Sequence, residues 1–105
     1  MSIVDRRNDF LRHDRAGVIV MYIPWCQTCR RHLEFWRGVR LDGCDINFHN
    51  CFADPDVLDF FTVDTYPCVY AKQQNGRWLH LDQNFLMRVL GNKVACERAL
   101  RDLLG

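Results

Sequence analysis

The sequence lacks the features that mark membrane proteins, nucleic-acid-binding proteins and chains of several domains. Its 14 basic and 13 acidic residues leave a formal net charge of only +1, so no overall field attracts nucleic acid or an anionic membrane. No apolar run approaches the ~18 residues that a membrane-spanning helix needs. The 105 residues suffice for one compact core and are too few for two. We therefore predict a single domain over 1–105 and expect neither nucleic acid nor a membrane among its partners.

The two ends of the sequence also lack a targeting signal. Charged residues, among them Asp5, Arg6 and Arg7, stand where a secretory signal would carry its apolar stretch. The last residues, Leu103, Leu104 and Gly105, match no lipidation or retention motif. We therefore expect a cytoplasmic location.

Cysteine, by contrast, is abundant, with six residues at positions 26, 29, 44, 51, 68 and 96. In a small secreted chain this number would suggest a disulfide framework. Without a secretory signal, reduced thiols, a redox-active pair or a metal site become the leading interpretations, and the spacing must decide among them.

The pattern of apolar residues predicts the element order α-β-α-β-α-β-β-α. Helices are predicted over 3–13, over 26–39, after Asp54 and from about Asn92; strands are predicted over 18–23, 45–49, 68–71 and 77–81. The strand over 18–23 is continuously apolar, as expected for a strand covered on both faces. Asp54 and Pro55 suit the start of a helix, whose buried stripe would be Val57, Leu58, Phe60 and Phe61. A βαβ unit followed by a ββα unit predicts an α/β fold, with a central mixed sheet of about four strands and helices on both faces.

The most informative motif is Trp-Cys-Gln-Thr-Cys at 25–29, which lies where a buried strand gives way to a helix. The carboxyl ends of such strands are where open α/β sheets place their sites. Cys26 at the helix N-terminus would have free backbone N–H groups and the positive end of the helix dipole nearby, and both favour the reactive thiolate. Cys29 follows one turn later, close enough to close a disulfide. We expect Cys26 to attack a substrate disulfide and Cys29 to resolve the mixed disulfide.

Zinc sites use the same Cys-x-x-Cys spacing, so a site in which Cys26 and Cys29 hold zinc or an iron–sulfur cluster is an alternative to the redox pair. The sequence contains no second Cys-x-x-Cys, Cys-x-x-His or His-x-x-x-His to complete such a site. Cys44 and Cys51, with His49 between them, are the remaining candidate ligands, and we expect them at the far side of the second strand. We therefore favour the redox interpretation and expect neither a metal nor another bound cofactor.

Two motifs carry a resemblance to a known family. Tyr-Ile-Pro-Trp-Cys-Gln-Thr-Cys at 22–29 resembles the active-site segment of thioredoxins, and its Tyr-x-Pro-Trp-Cys form is most similar to the catalytic domains of protein disulfide isomerases. Val-Asp-Thr-Tyr-Pro-Cys-Val-Tyr at 63–70 resembles the family's Val-x-x-Tyr-Pro-Thr segment. The resemblance covers roughly residues 17–78. It implies a thioredoxin-like fold, a cis peptide bond before Pro67, and substrate contacts through Trp25, Tyr66 and Pro67.

Three positions depart from the family pattern. Val20 stands where relatives usually carry a buried carboxylate that assists proton transfer at the second cysteine. Thr28 replaces the usual proline or histidine, and Glu34 replaces a proline that kinks the helix. The resemblance therefore does not carry over a catalytic rate or a redox potential.

The remaining thiols and aromatic residues are interpreted mainly as structural. We expect Cys68 and Cys96 in the core, although Cys68 also follows Pro67 and an alternative role as a third thiol near the dithiol stays open. A Cys44–Cys51 disulfide is a less favoured alternative. We expect His32 to be half-exposed on the helix after Cys29.

Together these observations predict a thiol–disulfide oxidoreductase that exchanges the Cys26/Cys29 dithiol with disulfides of protein substrates. Electrons would come from a partner reductase or from the glutathione pool. Reduction, oxidation and isomerisation all stay open, as does a non-catalytic binding module that keeps the fold and uses the groove around Trp25 and Tyr66.

Overall fold

A computed structural model describes residues 15–104, so the helix predicted over 3–13 lies outside the described residues. The elements, in chain order, are β1 (Ala16–Tyr22), α1 (Gln27–Arg37), β2 (Cys44–Asn50), a 3₁₀ helix (Pro55–Asp59), β3 (Cys68–Lys72), β4 (Trp78–Leu81), α2 (Gln83–Val89) and α3 (Lys93–Leu104). All four predicted strands are present, each within two residues of its expected bounds. No helix within this part of the chain has the length and apolar character to cross a membrane.

The four strands form one mixed sheet in the order β2-β1-β3-β4. β1 pairs in parallel with β2 and antiparallel with β3, and β3 pairs antiparallel with β4. This arrangement confirms the predicted mixed sheet of four strands. Because β1 and β2 are parallel neighbours, their carboxyl ends meet at the same edge of the sheet, and this edge carries the Cys26/Cys29 motif.

The two faces of the sheet bury separate clusters of side chains because successive residues of a strand point to opposite faces. From β1, Val18 and Val20 contribute to the larger cluster, whereas Ile19 and Met21 contribute to the smaller one. All three α-helices add side chains to the larger cluster, which contains among others Leu33, Trp36, Phe85, Leu86, Cys96 and Leu100. The smaller cluster contains Cys51, Val57, Phe61 and Cys68. The 3₁₀ helix supplies Val57, so helical elements contribute to both faces.

The segment after Asp54 forms five residues of 3₁₀ helix instead of the predicted α-helix with a four-residue buried stripe. The side chain of Asp54 makes no capping hydrogen bond, and the N–H of Phe60 bonds the carbonyl of Val57 three residues back. Val57 and Phe61 are buried, whereas Leu58 is 40% exposed. A 3₁₀ helix of five residues presents only one side to the sheet. The apolar run after Asp54 therefore predicted more buried side chains than the structure has.

The sequence analysis missed α2, a helix of seven residues. Its N-cap is Asp82, whose Oδ1 accepts the N–H of Phe85 at 2.9 Å, and Phe85, Leu86 and Val89 are buried. Gly91 then takes a positive φ of 82°, which ends α2 before α3 begins. Two helical turns are too short for a clear hydrophobic period, so the pattern gave only weak evidence for this element.

Candidate active site

The dithiol lies at the turn that connects β1 to α1. The N–H of Cys26 donates to the carbonyl of Ile23 at 3.3 Å, and the carbonyl of Cys26 accepts the N–H of Arg30 at 3.2 Å. Cys26 is therefore the N-cap of α1, with an extended backbone, and its Sγ accepts the N–H of Cys29 at 3.1 Å. Helix N-termini leave N–H groups without intrahelical partners. The sulfur of Cys26 thus lies at the positive end of α1, next to a backbone N–H donor.

The second cysteine has a different environment from the first. Cys29 is 1% exposed, whereas Cys26 is partly exposed. Burial and the side-chain hydrogen bond with Cys26 together raise the pKa of Cys29 to about 12, because a low-dielectric site disfavours the charged thiolate. One sulfur is thus accessible and held by an N–H donor, and its neighbour is shielded and protonated at neutral pH.

The segment before β3 faces the first cysteine. The Tyr66–Pro67 peptide bond is cis, the isomer that the family resemblance implies. The Sγ of Cys26 lies 3.9 Å from the carbonyl oxygen of Tyr66, so Tyr66 and the nucleophile candidate share one side of the site. The fold thus brings together four of the predicted site residues, Cys26, Cys29, Tyr66 and Pro67, and Trp25 lies directly before Cys26.

Cys51 also belongs to this site, contrary to the expectation that it lies at the far side of β2. Its N–H donates to the carbonyl of Tyr22 at 2.9 Å, and burial together with the nearby Cys51 thiol raises the pKa of Tyr66. The Cys51 thiol also acts electrostatically on Cys29. Since β2 runs parallel to β1, the residue that follows β2 arrives at the same sheet edge as the residues that follow β1. The parallel βαβ pairing was the signal that could have placed Cys51 correctly.

An aromatic pair occupies the surface beside the dithiol. Trp25 is 63% exposed and Phe52 is 67% exposed, and their rings meet edge to face with centroids 5.0 Å apart. Phe52 comes directly after Cys51, so the same parallel pairing of β1 and β2 explains its proximity. The sequence analysis did not single out Phe52.

On the interior side of the site, no carboxylate among residues 15–104 acts on the second cysteine. Val20 is fully buried in the larger cluster, and no carboxylate is among the groups that shift the pKa of Cys29. His32 is only 2% exposed, so the prediction of a half-exposed histidine is wrong. His32 shares the buried face of α1 with Cys29, Leu33 and Trp36, and burial lowers its pKa.

Cys44, Cys68 and Cys96 are structural by position. All six cysteines, which all lie within residues 15–104, are free thiols. Cys68 packs in the smaller cluster with its Sγ 3.7 Å from Nε2 of His80, and Cys96 is fully buried in the larger cluster; both core predictions are confirmed. Cys44 begins β2 and Cys51 follows its end, roughly 20 Å away along an extended strand, which is too far for a disulfide between them.

Metal-ligating side chains do not cluster in the described part of the chain. Among residues 15–104, no three histidine, cysteine, aspartate or glutamate side chains lie close enough together to hold a metal ion. The Cys26/Cys29 pair therefore gains no further ligands within that range.

Comparison with known proteins identifies the fold. No protein-family model matches the sequence, and neither does any curated protein. Among solved structures, the chain is similar to the Trx4 domain of ERdj5, with 15% identity, a TM-score of 0.60, and coverage of 85% of this chain and 89% of that one. It is also similar to the first thioredoxin domain of mouse protein disulfide-isomerase A4, with 16% identity, a TM-score of 0.60, and coverage of 89% and 68%.

A thioredoxin from Plasmodium falciparum is a third similar structure, with 14% identity, a TM-score of 0.57, and coverage of 89% of this chain and 84% of that one. All three are thioredoxin domains by their descriptions. The chain therefore has the thioredoxin fold. In this chain the Cys-x-x-Cys motif occupies the junction of β1 and α1, opposite the cis Tyr66–Pro67 bond.

Proposed function

We propose that this protein is a thiol–disulfide oxidoreductase in which Cys26 is the nucleophile and Cys29 is the resolving thiol. The observation that carries the proposal is the difference between the two sulfurs. The Sγ of Cys26 is partly exposed and accepts the Cys29 N–H at 3.1 Å. Cys29 is buried and protonated, so it does not compete for the incoming disulfide. An accessible sulfur followed one turn later by a shielded thiol suits a two-step exchange.

In the direction of reduction, the Cys26 thiolate attacks one sulfur of a substrate disulfide. The substrate S–S bond breaks, a Cys26–substrate disulfide forms, and the other substrate sulfur leaves as a thiolate that takes up a proton. Cys29 then loses its proton and attacks the Sγ of Cys26, which releases the second substrate thiol and leaves a Cys26–Cys29 disulfide. Oxidation of a substrate is the same sequence in reverse.

The surface beside Cys26 suits an extended polypeptide. The Tyr66 backbone lies next to the Cys26 sulfur, in the segment before β3 begins, and we expect it to pair with the backbone of an extended substrate, whereas Pro67 has no N–H to donate. Trp25 adds an exposed aromatic surface directly before the nucleophile. We accordingly propose protein disulfides as the substrates. A cytoplasmic reductase or the glutathione pool would restore the dithiol, with no bound cofactor.

We expect the slow step to be the resolution of the mixed disulfide, in which Cys29 attacks the Sγ of Cys26. Cys29 must lose a proton before it attacks, yet burial, the largest cause of its raised pKa, persists when Cys26 is joined to a substrate. Val20, which is apolar and fully buried, provides no base at the position where relatives carry a carboxylate. The mixed disulfide should therefore persist longer than it would beside a carboxylate, because only a small fraction of Cys29 is thiolate at neutral pH.

Single substitutions of the two cysteines test the assignment of roles. The reduced protein is mixed with insulin, a model protein disulfide, and free thiols and covalent complexes are measured over time. Cys26→Ser should abolish reduction, and Cys29→Ser should accumulate a mixed disulfide with insulin. Cys44→Ala, at the opposite end of β2 from the site, is the matched control and should keep the wild-type rate.

Two results would contradict the proposal. A Cys26→Ser variant that still reduces insulin at the wild-type rate would remove Cys26 from the reaction. A wild-type protein that binds partners tightly but exchanges no disulfide would favour the non-catalytic binding module.

A further inference from the structure

The exposed aromatic pair beside Cys26 is unusual among the apolar side chains of the described surface. Five large apolar residues in this part of the chain are substantially exposed: Trp25, Phe52, Leu58, Met87 and Val94. Among these five, Trp25 and Phe52 form an edge-to-face ring contact, with centroids 5.0 Å apart and an interplanar angle of 78°. One member of that pair adjoins the proposed nucleophile. Contiguous exposed apolar surface next to a reactive atom indicates a place where a partner binds.

The loop that carries Phe52 is held in place by its own hydrogen bonds. Oδ1 of Asn50 accepts the N–H groups of Phe52 at 3.0 Å and of Ala53 at 3.1 Å. The N–H of Asp54 donates to the carbonyl of Asn50, and that of Cys51 donates to the carbonyl of Tyr22. Phe52 is therefore presented outward by an ordered turn attached to β1, and little backbone freedom is lost when a ligand contacts it.

Folding does not account for the exposure of this ring. Phe52 belongs to neither hydrophobic cluster, and two thirds of its surface faces solvent. Its edge-to-face contact with Trp25 fixes the orientation of both rings, as aromatic pairs of this geometry do. The two rings together form one apolar surface, which we call the aromatic platform, defined as Trp25 and Phe52.

We propose that the aromatic platform selects protein disulfides that carry an apolar side chain next to the reacting cysteine, with Phe52 as the specificity-determining residue. This inference rests on the proposed function of Cys26. An extended chain that delivers its sulfur to Cys26 passes Trp25, the residue immediately before that nucleophile. A flanking aliphatic or aromatic side chain then covers the rings and removes apolar surface from water.

Glutathione disulfide is a poor match for the platform. It carries several carboxylates and no apolar side chain to cover the two exposed rings. An apolar platform therefore favours a polypeptide with an apolar residue beside its disulfide.

A pair of matched peptides tests the proposal. Two disulfide-linked peptides differ only at the positions that flank the cysteine, which are leucine in one and serine in the other. The second-order rate constant of the reduced wild-type protein should be roughly tenfold higher for the leucine peptide. Phe52→Ala should reduce this preference to about twofold or less, whereas Phe52→Tyr, which keeps the ring, should retain most of it.

Control measurements separate specificity from folding and from basic reactivity. Met87→Ala removes a side chain that is 68% exposed on α2 and should leave the preference unchanged. Glutathione disulfide should react with wild-type protein and with Met87→Ala at equal rates, because Met87 lies outside the platform. The melting temperature of Phe52→Ala should stay within about 5 °C of the wild type.

The possible failures are distinguishable. Equal rates for the two peptides with the wild type, or a full preference retained by Phe52→Ala, would overturn the role of the platform while exchange itself continued. A wild-type protein that reacts with neither peptide nor with glutathione disulfide would instead overturn the proposed function.

Discussion

Cys26 and Cys96 are both cysteines associated with a helix, but the two helices hold them in opposite environments. Cys26 caps α1 at the edge of the sheet, where its partly exposed sulfur accepts the N–H of Cys29. Cys96 lies within α3, fully buried in the larger cluster, and its pKa is raised to about 12 by burial and by Glu97. The comparison teaches that the place of a thiol in the fold determines its chemistry. A helix start at a sheet edge supplies donors and access, whereas the buried face of a helix supplies neither.

The largest expected effect is a difference in reactivity between these two thiols. With a pKa of about 12, only about one Cys96 in 10⁵ is a thiolate at pH 7, and the side chain is also inaccessible. Iodoacetamide should therefore modify Cys26 at least about 10³ times faster than Cys96 in the folded, reduced protein. Time-resolved alkylation with peptide mass spectrometry measures both rates. Alkylation rates of Cys26 and Cys96 within a factor of ten of each other would contradict the proposed difference in reactivity. In the control with denatured protein, the two cysteines should be alkylated at similar rates.

A second effect concerns the pH dependence of resolution by Cys29. In the mixed disulfide Cys26 no longer carries a thiol, but burial, the largest cause of the raised pKa of Cys29, remains, so the thiolate fraction should rise about tenfold per pH unit from pH 6 to about pH 8. The rate at which the wild-type mixed disulfide resolves should follow the same slope, as measured by acid quench after mixing with a disulfide substrate. A rate that levels off below pH 8 would show that another group activates Cys29.

The smallest effect is on stability at alkaline pH. Burial raises the pKa values of Cys44 and Cys68 to about 11 and that of Cys96 to about 12, from an ordinary value of 9.0. Above pH 9 the unfolded chain releases these protons while the folded chain keeps them, so the free energy of unfolding should fall from about pH 9 up to the folded values. Each thiol contributes at most about 1.4 kcal/mol per pH unit.

Urea unfolding of the reduced protein at pH 8 and pH 10 measures this decline. Cys96→Ala removes one of the buried thiols and should show a shallower decline than the wild type. An equal decline in the two proteins would mean that Cys96 does not contribute to it.

Much of the fold followed from local patterns. The uninterrupted apolar run of β1 predicted a strand covered on both faces, and Val18 and Ile19 are indeed buried on opposite faces. The Cys-x-x-Cys motif was placed correctly at the junction of β1 and α1 because Pro24 ends the strand and the helical period begins at once. These features depend on neighbours in the sequence, which is why the sequence sufficed.

The parts that were missed depend on contacts between distant segments. Cys51 and Phe52 reach the site only because β2 lies parallel to β1, and neither residue belongs to a motif of its own. His32 is buried although its helix carries charges on both sides of it, because the packed face of α1 is wider than the stripe of Cys29, Leu33 and Trp36 alone. Short elements such as α2 are stabilised by packing more than by their own sequence, so their patterns are weak.

A redox titration of the six thiols tests the central claim most directly. The protein is equilibrated in glutathione buffers of graded potential, its thiols are trapped by alkylation, and modified cysteines are counted by mass spectrometry. We predict one reversible two-electron transition confined to Cys26 and Cys29, with the other four cysteines remaining reduced. A potential below that of cytosolic glutathione would make the protein a reductant, and one well above it would make it an oxidant or isomerase. If the pair never oxidises across this range, Cys26 and Cys29 do not form a working dithiol and the account is wrong.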